Sequence, residues 1–503
     1  MLNKRSILAI LFIILFISFF LFRIINIGAD PPLSVSWSIG PWLDSNFYLK
    51  NIHNKIVTGH FILSKDADNQ IYSNPVYVFL AYAVVKVFGM GYTQLTFLSL
   101  ISSIITLGIL FFWIRELYDE KTAYLSVALF GFNYFYIMYN KLVLVETPAI
   151  MFIVLSLFLF SMGRKHIAFS LLSGIAATCA FFCRSFSVMF LSAVFLTYLL
   201  YCIGGRCKGA IKRQFKYFLI GTLLTFLAWF LFFALPNWEN IIFHYRSRFG
   251  MASGAFLYPA ETSNITHKAW FMLSPLVVNM PVLLAVCGIF LLVVFSRCRS
   301  IIKRVRTEEV IMFLYLLIYS VFLFFLYRHN PPRRLLYYVP FICIYSSFAI
   351  VKGFEIFNNR KYVKIFKNIF IVFLLALHFY SQIHSYMLWH FNRRYDVSDS
   401  CKLIASYLKP SDIVFGETNF IWSSRCRFID ITNANLGGIR PSLISSDPFG
   451  NNQITHIMLK IPHKTDVLEY LTYRLKSNEI KNLIPLCEAG VKNVKYRLYK
   501  MVY

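Results

Sequence analysis

Apolar runs of about twenty residues recur along almost the whole chain, from Ile7–Ile25 to Ile369–Tyr386, and this repetition constrains the fold more than any single motif. Inside a bilayer every backbone N–H and C=O must be paired within the protein, and a helix is the segment that does this alone. Composition agrees, with 58% hydrophobic and only 15% charged residues, whereas soluble domains carry about a quarter charged. The expected fold is therefore a polytopic α-helical membrane protein. A net charge of +27 does not point to nucleic acid, because Lys and Arg fall in short clusters between apolar runs, as in cytoplasmic loops. The ten cysteines show no CxxC or Cys/His spacing, so no structural metal is implied.

Charge bias orders the runs. Lys4-Arg5 followed by an apolar core too long for a signal peptide reads as an uncleaved first span with a cytoplasmic N-terminus. Val76–Phe88, stopped by Gly89 and Gly91, is too short to cross and is expected to re-enter or lie along the outer face. The next spans are then Leu95–Ile114, Ala123–Tyr139, Pro148–Met162, Ile167–Phe182, Val188–Tyr201, Phe218–Leu235, Pro275–Phe295, Val310–Tyr327, Leu335–Val351 and Ile369–Tyr386, about eleven in all. With that register the basic loops 115–121, 164–165, 206–216, 297–306 and 352–367 all fall in the cytoplasm. The reading gives a membrane module over 1–389, with an outer loop at 28–73, and an extracytoplasmic α/β domain over 390–503. In that second domain a helix is expected at Ser398–Leu408, strands at Asp412–Phe415, Arg427–Ile431, Ile454–Lys460 and Lys495–Val502, and helical periodicity at Thr465–Leu475. Cys401, Cys426 and Cys487 leave one disulfide open there without demanding it.

Within the outer loop, Asp44 precedes Tyr48, Ile52 and Ile56 at helical spacing, and Gly59 is a natural stop. This reads as a short amphipathic surface helix with Asp44 at its N-cap, at the membrane rim. Glu146, in Glu146-Thr147-Pro148, stands at the outer mouth of a span. Arg184 ends the fifth span on the same side, and Arg328-His329-Asn330-Pro331-Pro332-Arg333-Arg334 is an outer loop whose charge runs against the bias. Ionisable groups at membrane depth or on the wrong side are functional candidates, and planar, bidentate guanidinium groups suit a phosphate. For any one arginine, snorkelling or lipid contact is the plainer explanation. The same applies to Lys141 and His53, which read first as structural.

An outer-loop Asp with Tyr four positions on, Asn74-Pro75 before a short helix, an acid just before Pro at a span mouth, a basic residue ending the fifth span and an Arg-rich loop before a late span resemble the GT-C glycosyltransferases. The likeness is to the bacterial branch related to protein O-mannosyltransferases and the aminoarabinose lipid A transferase, over Leu2–Val351. Two features depart from the pattern: the usual Asp-Glu pair is Asp44-Ser45, and the second acid is Glu146-Thr147-Pro148 instead of Asp-Pro. Asp30-Pro31-Pro32 lacks a Tyr at the right distance. The resemblance implies a multi-pass enzyme of the cell (inner) membrane. Such an enzyme moves a sugar from a polyprenyl-phosphate donor to a lipid, glycan or protein acceptor on the outer face, with inversion. It implies Asp44 and Glu146 as catalytic carboxylates and Arg184, Arg333 and Arg334 as phosphate ligands, with Tyr48, His53, Lys141 and Arg328 as secondary candidates. Two carboxylates leave room for a divalent cation but make a thin site, and no cofactor is certain. A flippase of lipid-linked sugars would instead carry internal repeats and mid-span charges. A non-enzymatic envelope protein with a partner-binding outer domain would leave the counter-bias arginines unexplained.

Overall fold

The computed structural model describes residues 4–25, 27, 41–62, 70–205, 209–242, 244–245, 276–277, 280–286, 288, 306–323, 332–352, 361–392, 397–416, 424–430, 454–461, 482–491 and 494–502. The described part of the membrane module is helical: α1 (Lys4–Ile24), α2 (Pro41–Thr58), α3 (Gln70–Ser73), α4 (Pro75–Phe88), α5 (Tyr92–Leu117), α6 (Glu120–Gly131), α7 (Tyr134–Asn140), α8 (Glu146–Met162), α9 (Ile167–Cys183), α10 (Val188–Ile203), α11 (Gly209–Trp229), α12 (Thr307–Val321), α13 (Val339–Lys352) and α14 (Lys361–Asn392). Among the described residues five helical stretches are long and apolar enough to cross a membrane: Thr93–Leu117, Ser185–Ile203, Gly209–Ile242, Arg333–Val351 and Ile371–Leu388. Pro75–Phe88, Glu146–Met162 and Ile167–Cys183 are shorter apolar helices. The expected span Pro275–Phe295 lies largely outside the described residues.

Close packing of small residues holds the centre together, as in membrane bundles, where lipid gives helices no hydrophobic drive to associate. A Cβ added at Gly174 of α9 would lie 2.0 Å from the Phe218 carbonyl oxygen of α11, and one at Gly221 would lie 2.1 Å from that of Leu171. Ser156 of α8 meets Ser173 of α9, hydroxyl to hydroxyl, at 3.0 Å. One end of the bundle gathers the basic turns. Lys165 pairs with Glu116 at 2.8 Å, and Arg164 pairs with the buried Glu308 at 2.7 Å. The starts of α5 and α8 and the end of α9 therefore lie at the opposite end.

Two expected elements take a different form. The span expected at Ala123–Tyr139 is broken at Phe132 and Asn133 into α6 and α7. Asn133 caps the second piece by accepting from the Tyr136 N–H, and Gln382 of α14 accepts from the Tyr134 N–H, both at 2.8 Å. Arg23, counted above within an apolar run, is fully buried and donates to the carbonyls of Gly131 and Phe19 and to Ser103. In α2 the helix starts at Pro41, so Asp44 sits within the first turn rather than at the N-cap. The physical reason is that proline at the first helical position loses no bond and has φ already set. Nor does α2 simply lie on a surface: Asn51, Ile52, His53 and Asn54 are all buried. Gly59 does end it, with φ of 81°.

Beyond α14, α15 (Val397–Ser406) packs on α5 and on a five-stranded mixed sheet of order β2-β1-β3-β5-β4. Its strands are β1 (Ile413–Gly416), β2 (Arg427–Asp430), β3 (His456–Ile461), β4 (Asn482–Val491) and β5 (Val494–Val502). β1 runs parallel to β2 and β3, and β5 antiparallel to β3 and β4. The helix expected at Thr465–Leu475 lies outside the described residues. β4 carries no clear strand pattern in the sequence, because Pro485 interrupts it beside a register shift; an edge strand tolerates such a proline. Cys426 and Cys487 are free thiols, and burial pushes that of Cys426 up to about 12.

Candidate active site

Glu146 is the first residue of α8 and fully buried, with its carboxylate at the positive end of the helix dipole. Its Oε1 lies 3.4 Å from Arg333 Nε and 3.7 Å from Arg184 Nη2. These are ion-pair distances beyond the usual hydrogen-bond range, so the charges attract without locking. Arg184 follows α9 in an extended conformation (φ −153°, ψ 119°), and its N–H still bonds the Ala180 carbonyl. The turn Ser185–Ser187 then brings Phe186 under two guanidinium groups, Arg184 at 4.9 Å and Arg334 at 4.5 Å from the ring centre. Arg333 and Arg334 ride on a 3-10 helix, Pro332–Tyr338, that packs against α7 and α8. Tyr319 of α12 holds that helix by donating to the Arg334 carbonyl at 3.0 Å.

The corner therefore brings three arginines from two distant segments around one carboxylate, with Arg334 almost wholly buried. Positive charge exceeds negative among its described side chains. That imbalance suits an anionic ligand, and a phosphate matches guanidinium forks best. Tyr139 and Tyr337 lie within electrostatic reach of Glu146. Sequence reading missed both tyrosines and Phe186; the Arg184-Ser185-Phe186 spacing was the available signal for the last.

The remaining candidates separate. α2 stands against α3 and α4, and α4 packs on α9 beside Arg184. The Asn74 amide, turned so that its nitrogen donates, reaches the Cys183 carbonyl at 3.0 Å. Asp44 and Tyr48 are placed by the backbone of α2, their side chains lying outside the described set, as does Arg328 altogether. His53 is buried and bonded to the main chain of Ser424 in the C-terminal domain, and burial holds its imidazole down to about 4. Lys141 donates to the Ile25 carbonyl and stands over the Tyr386 ring, so it ties the end of α1 to α14. Among the described residues no cluster of three His, Cys, Asp or Glu is placed to hold a metal.

The broken helical bundle and the small α/β domain share their fold with solved polytopic GT-C membrane enzymes. Residues 73–233 match the family model described as dolichyl-phosphate-mannose-protein mannosyltransferase. ArnT from Cupriavidus metallidurans in the apo state aligns with a TM-score of 0.65 at 12% identity, covering 98% of both chains. The same protein bound to undecaprenyl phosphate aligns at 0.62 and 11% identity, over 97% of this chain and 98% of that one. The archaeal oligosaccharyltransferase AglB from Archaeoglobus fulgidus, in complex with an inhibitory peptide and a dolichol-phosphate, aligns at 0.52 and 12% identity over 88% of this chain and 69% of its own. No curated protein matches the chain by sequence.

Proposed function

We propose that the protein transfers a sugar from a polyprenyl monophosphate to an acceptor hydroxyl or phosphate at the outer face of a cell membrane. The observation that carries this reading is the convergence of Arg184, Arg333 and Arg334 on the buried Glu146, three guanidinium groups gathered beside an apolar bundle. A donor with an anionic head and an apolar tail fits both halves. In support, ArnT is described with bound undecaprenyl phosphate and AglB with a dolichol-phosphate.

Asp44 is the general base. It takes the acceptor proton as the acceptor oxygen attacks the anomeric carbon, while the bond from that carbon to the phosphate oxygen breaks and the monophosphate leaves. One in-line displacement inverts the anomeric centre. The arginines stabilise the charge that develops on the leaving phosphate. Glu146, held between two of them, sets their spacing and is the weaker base. Residues 1–389 form the catalytic module, and the tail faces the same side as Asp44. Protein reconstituted in liposomes with radiolabelled polyprenyl-phosphate sugars and a membrane extract should move label into a non-donor product. Label that only crosses the bilayer, still on its carrier, would identify a flippase instead.

A further inference from the structure

Asn140 ends α7 and is 1% exposed, yet among the described residues neither its Nδ2 nor its Oδ1 has a hydrogen-bond partner. Thr147, in the first turn of α8, is fully buried with its hydroxyl equally unmet among the described residues. Buried polar groups in folded proteins are almost always bonded, so two such groups flanking Glu146 in sequence point to something that binds there. The fold keeps them near the arginines. α7 packs against the 3-10 helix carrying Arg333 and Arg334, and Tyr139, the neighbour of Asn140, lies within electrostatic reach of Glu146.

If the phosphate rests on the arginines, as the proposed function holds, the sugar bonded to it lies within one ring width. We propose that Asn140 is a specificity-determining residue that reads adjacent hydroxyls of a neutral pyranose on the donor. A carboxamide has donors and acceptors in one plane: Nδ2 donates to one hydroxyl oxygen, and Oδ1 accepts from its neighbour. Thr147 adds a hydroxyl on the other flank. Glu146 is already engaged by two arginines, so the corner offers the sugar neutral partners, which fit a diol better than a cationic amino sugar.

The test compares the wild type with Asn140→Leu and Asn140→Asp in nanodiscs. The donors are undecaprenyl-phosphate glucose and mannose, an amino-sugar donor, and the 2-, 3- and 4-deoxy forms of whichever hexose is transferred. The wild type should lose about ten- to a hundredfold in kcat/KM on one or two of the deoxy donors. Asn140→Leu should lose a similar factor on the parent hexose and little more when the matching hydroxyl is also gone, the non-additivity of a shared contact. Asn140→Asp keeps the shape and the acceptor but loses the donors, and it carries the test if the Leu variant does not purify folded. An amide that is only structural lowers every donor by one factor and leaves the deoxy ratios of the wild type intact; that result overturns the inference. Use of the amino-sugar donor alone also overturns it. Wild-type protein that transfers from none of these donors brings down the functional reading first, before any variant is made.

Discussion

Between Arg333 and Arg184, Glu146 is a buried anion whose removal takes a counter-charge from two cations. Glu146→Gln keeps the volume and should destabilise the ligand-free protein by about 3 to 5 kcal/mol, the cost of breaking a buried pair. Added undecaprenyl phosphate should restore part of that stability by mass action. Thermal melts in detergent with and without the lipid check this, and no rescue by lipid would speak against a phosphate at the corner. Arg333→Ala or Arg334→Ala should weaken donor use by about ten- to a hundredfold, since a charge-assisted contact contributes about 1.5 to 3 kcal/mol. Lysine should recover only part, having charge but no fork. Asp44 lies inside the first turn of α2 rather than at the N-cap, so Asn and Ala variants should both fold. Both should lose transfer by about two to four orders of magnitude if Asp44 takes the proton. An Asn variant with wild-type turnover would hand that role to another acid.

At the scale of elements, α6 and α7 are separated by a break, and Arg23 and Gln382 bind the backbone groups that the break frees. Arg23→Leu removes three hydrogen bonds to buried partners. It should cost several kcal/mol even though a leucine looks better suited to an apolar helix, because the carbonyls it served stay buried. Circular dichroism melts read that loss directly. α2 is pinned from the other side by His53, whose imidazole is held neutral by burial, with a pKa of about 4 against an ordinary 6.5. Between those values the unfolded chain binds a proton that the folded chain refuses. Stability should therefore be whole above about pH 6.5 and fall as pH drops towards 4, where the loss levels off. His53→Gln should flatten this slope. A residual slope of the same sign is expected from His456, also lowered by burial.

For the molecule as a whole, the Glu146 corner and the end of α9 lie at the end of the bundle opposite the Glu116–Lys165 and Arg164–Glu308 pairs, and α2 packs on α4 beside them. The proposed function requires that end to face out, as the positive-inside rule predicts. Cysteines introduced at the exposed positions Ser411 and Lys121 report on the two ends. A membrane-impermeant thiol reagent on intact cells should label Ser411→Cys and spare Lys121→Cys. The reverse pattern would turn the whole site to the cytoplasm and away from an outer acceptor.

The bilayer is why so much was legible beforehand. Hydrocarbon forces helices, their length is set by its thickness and their direction by Lys and Arg, all local quantities that a chain displays in its own order. Glu146, Arg184, Arg333 and Arg334 stood out for the same reason, as charges where the bias disfavours them. Pairing was not legible. That Arg333 and Arg184 meet one carboxylate, that Phe186 lies under two guanidinium groups, and that Lys141 and His53 turn to structural partners depends on side chains far apart in the chain. Arg23 hid in an apolar run because its partners are carbonyls and a serine on other helices. Such contacts arise only once tertiary packing excludes water, and that exclusion decides which charges bind each other and which are left for a ligand.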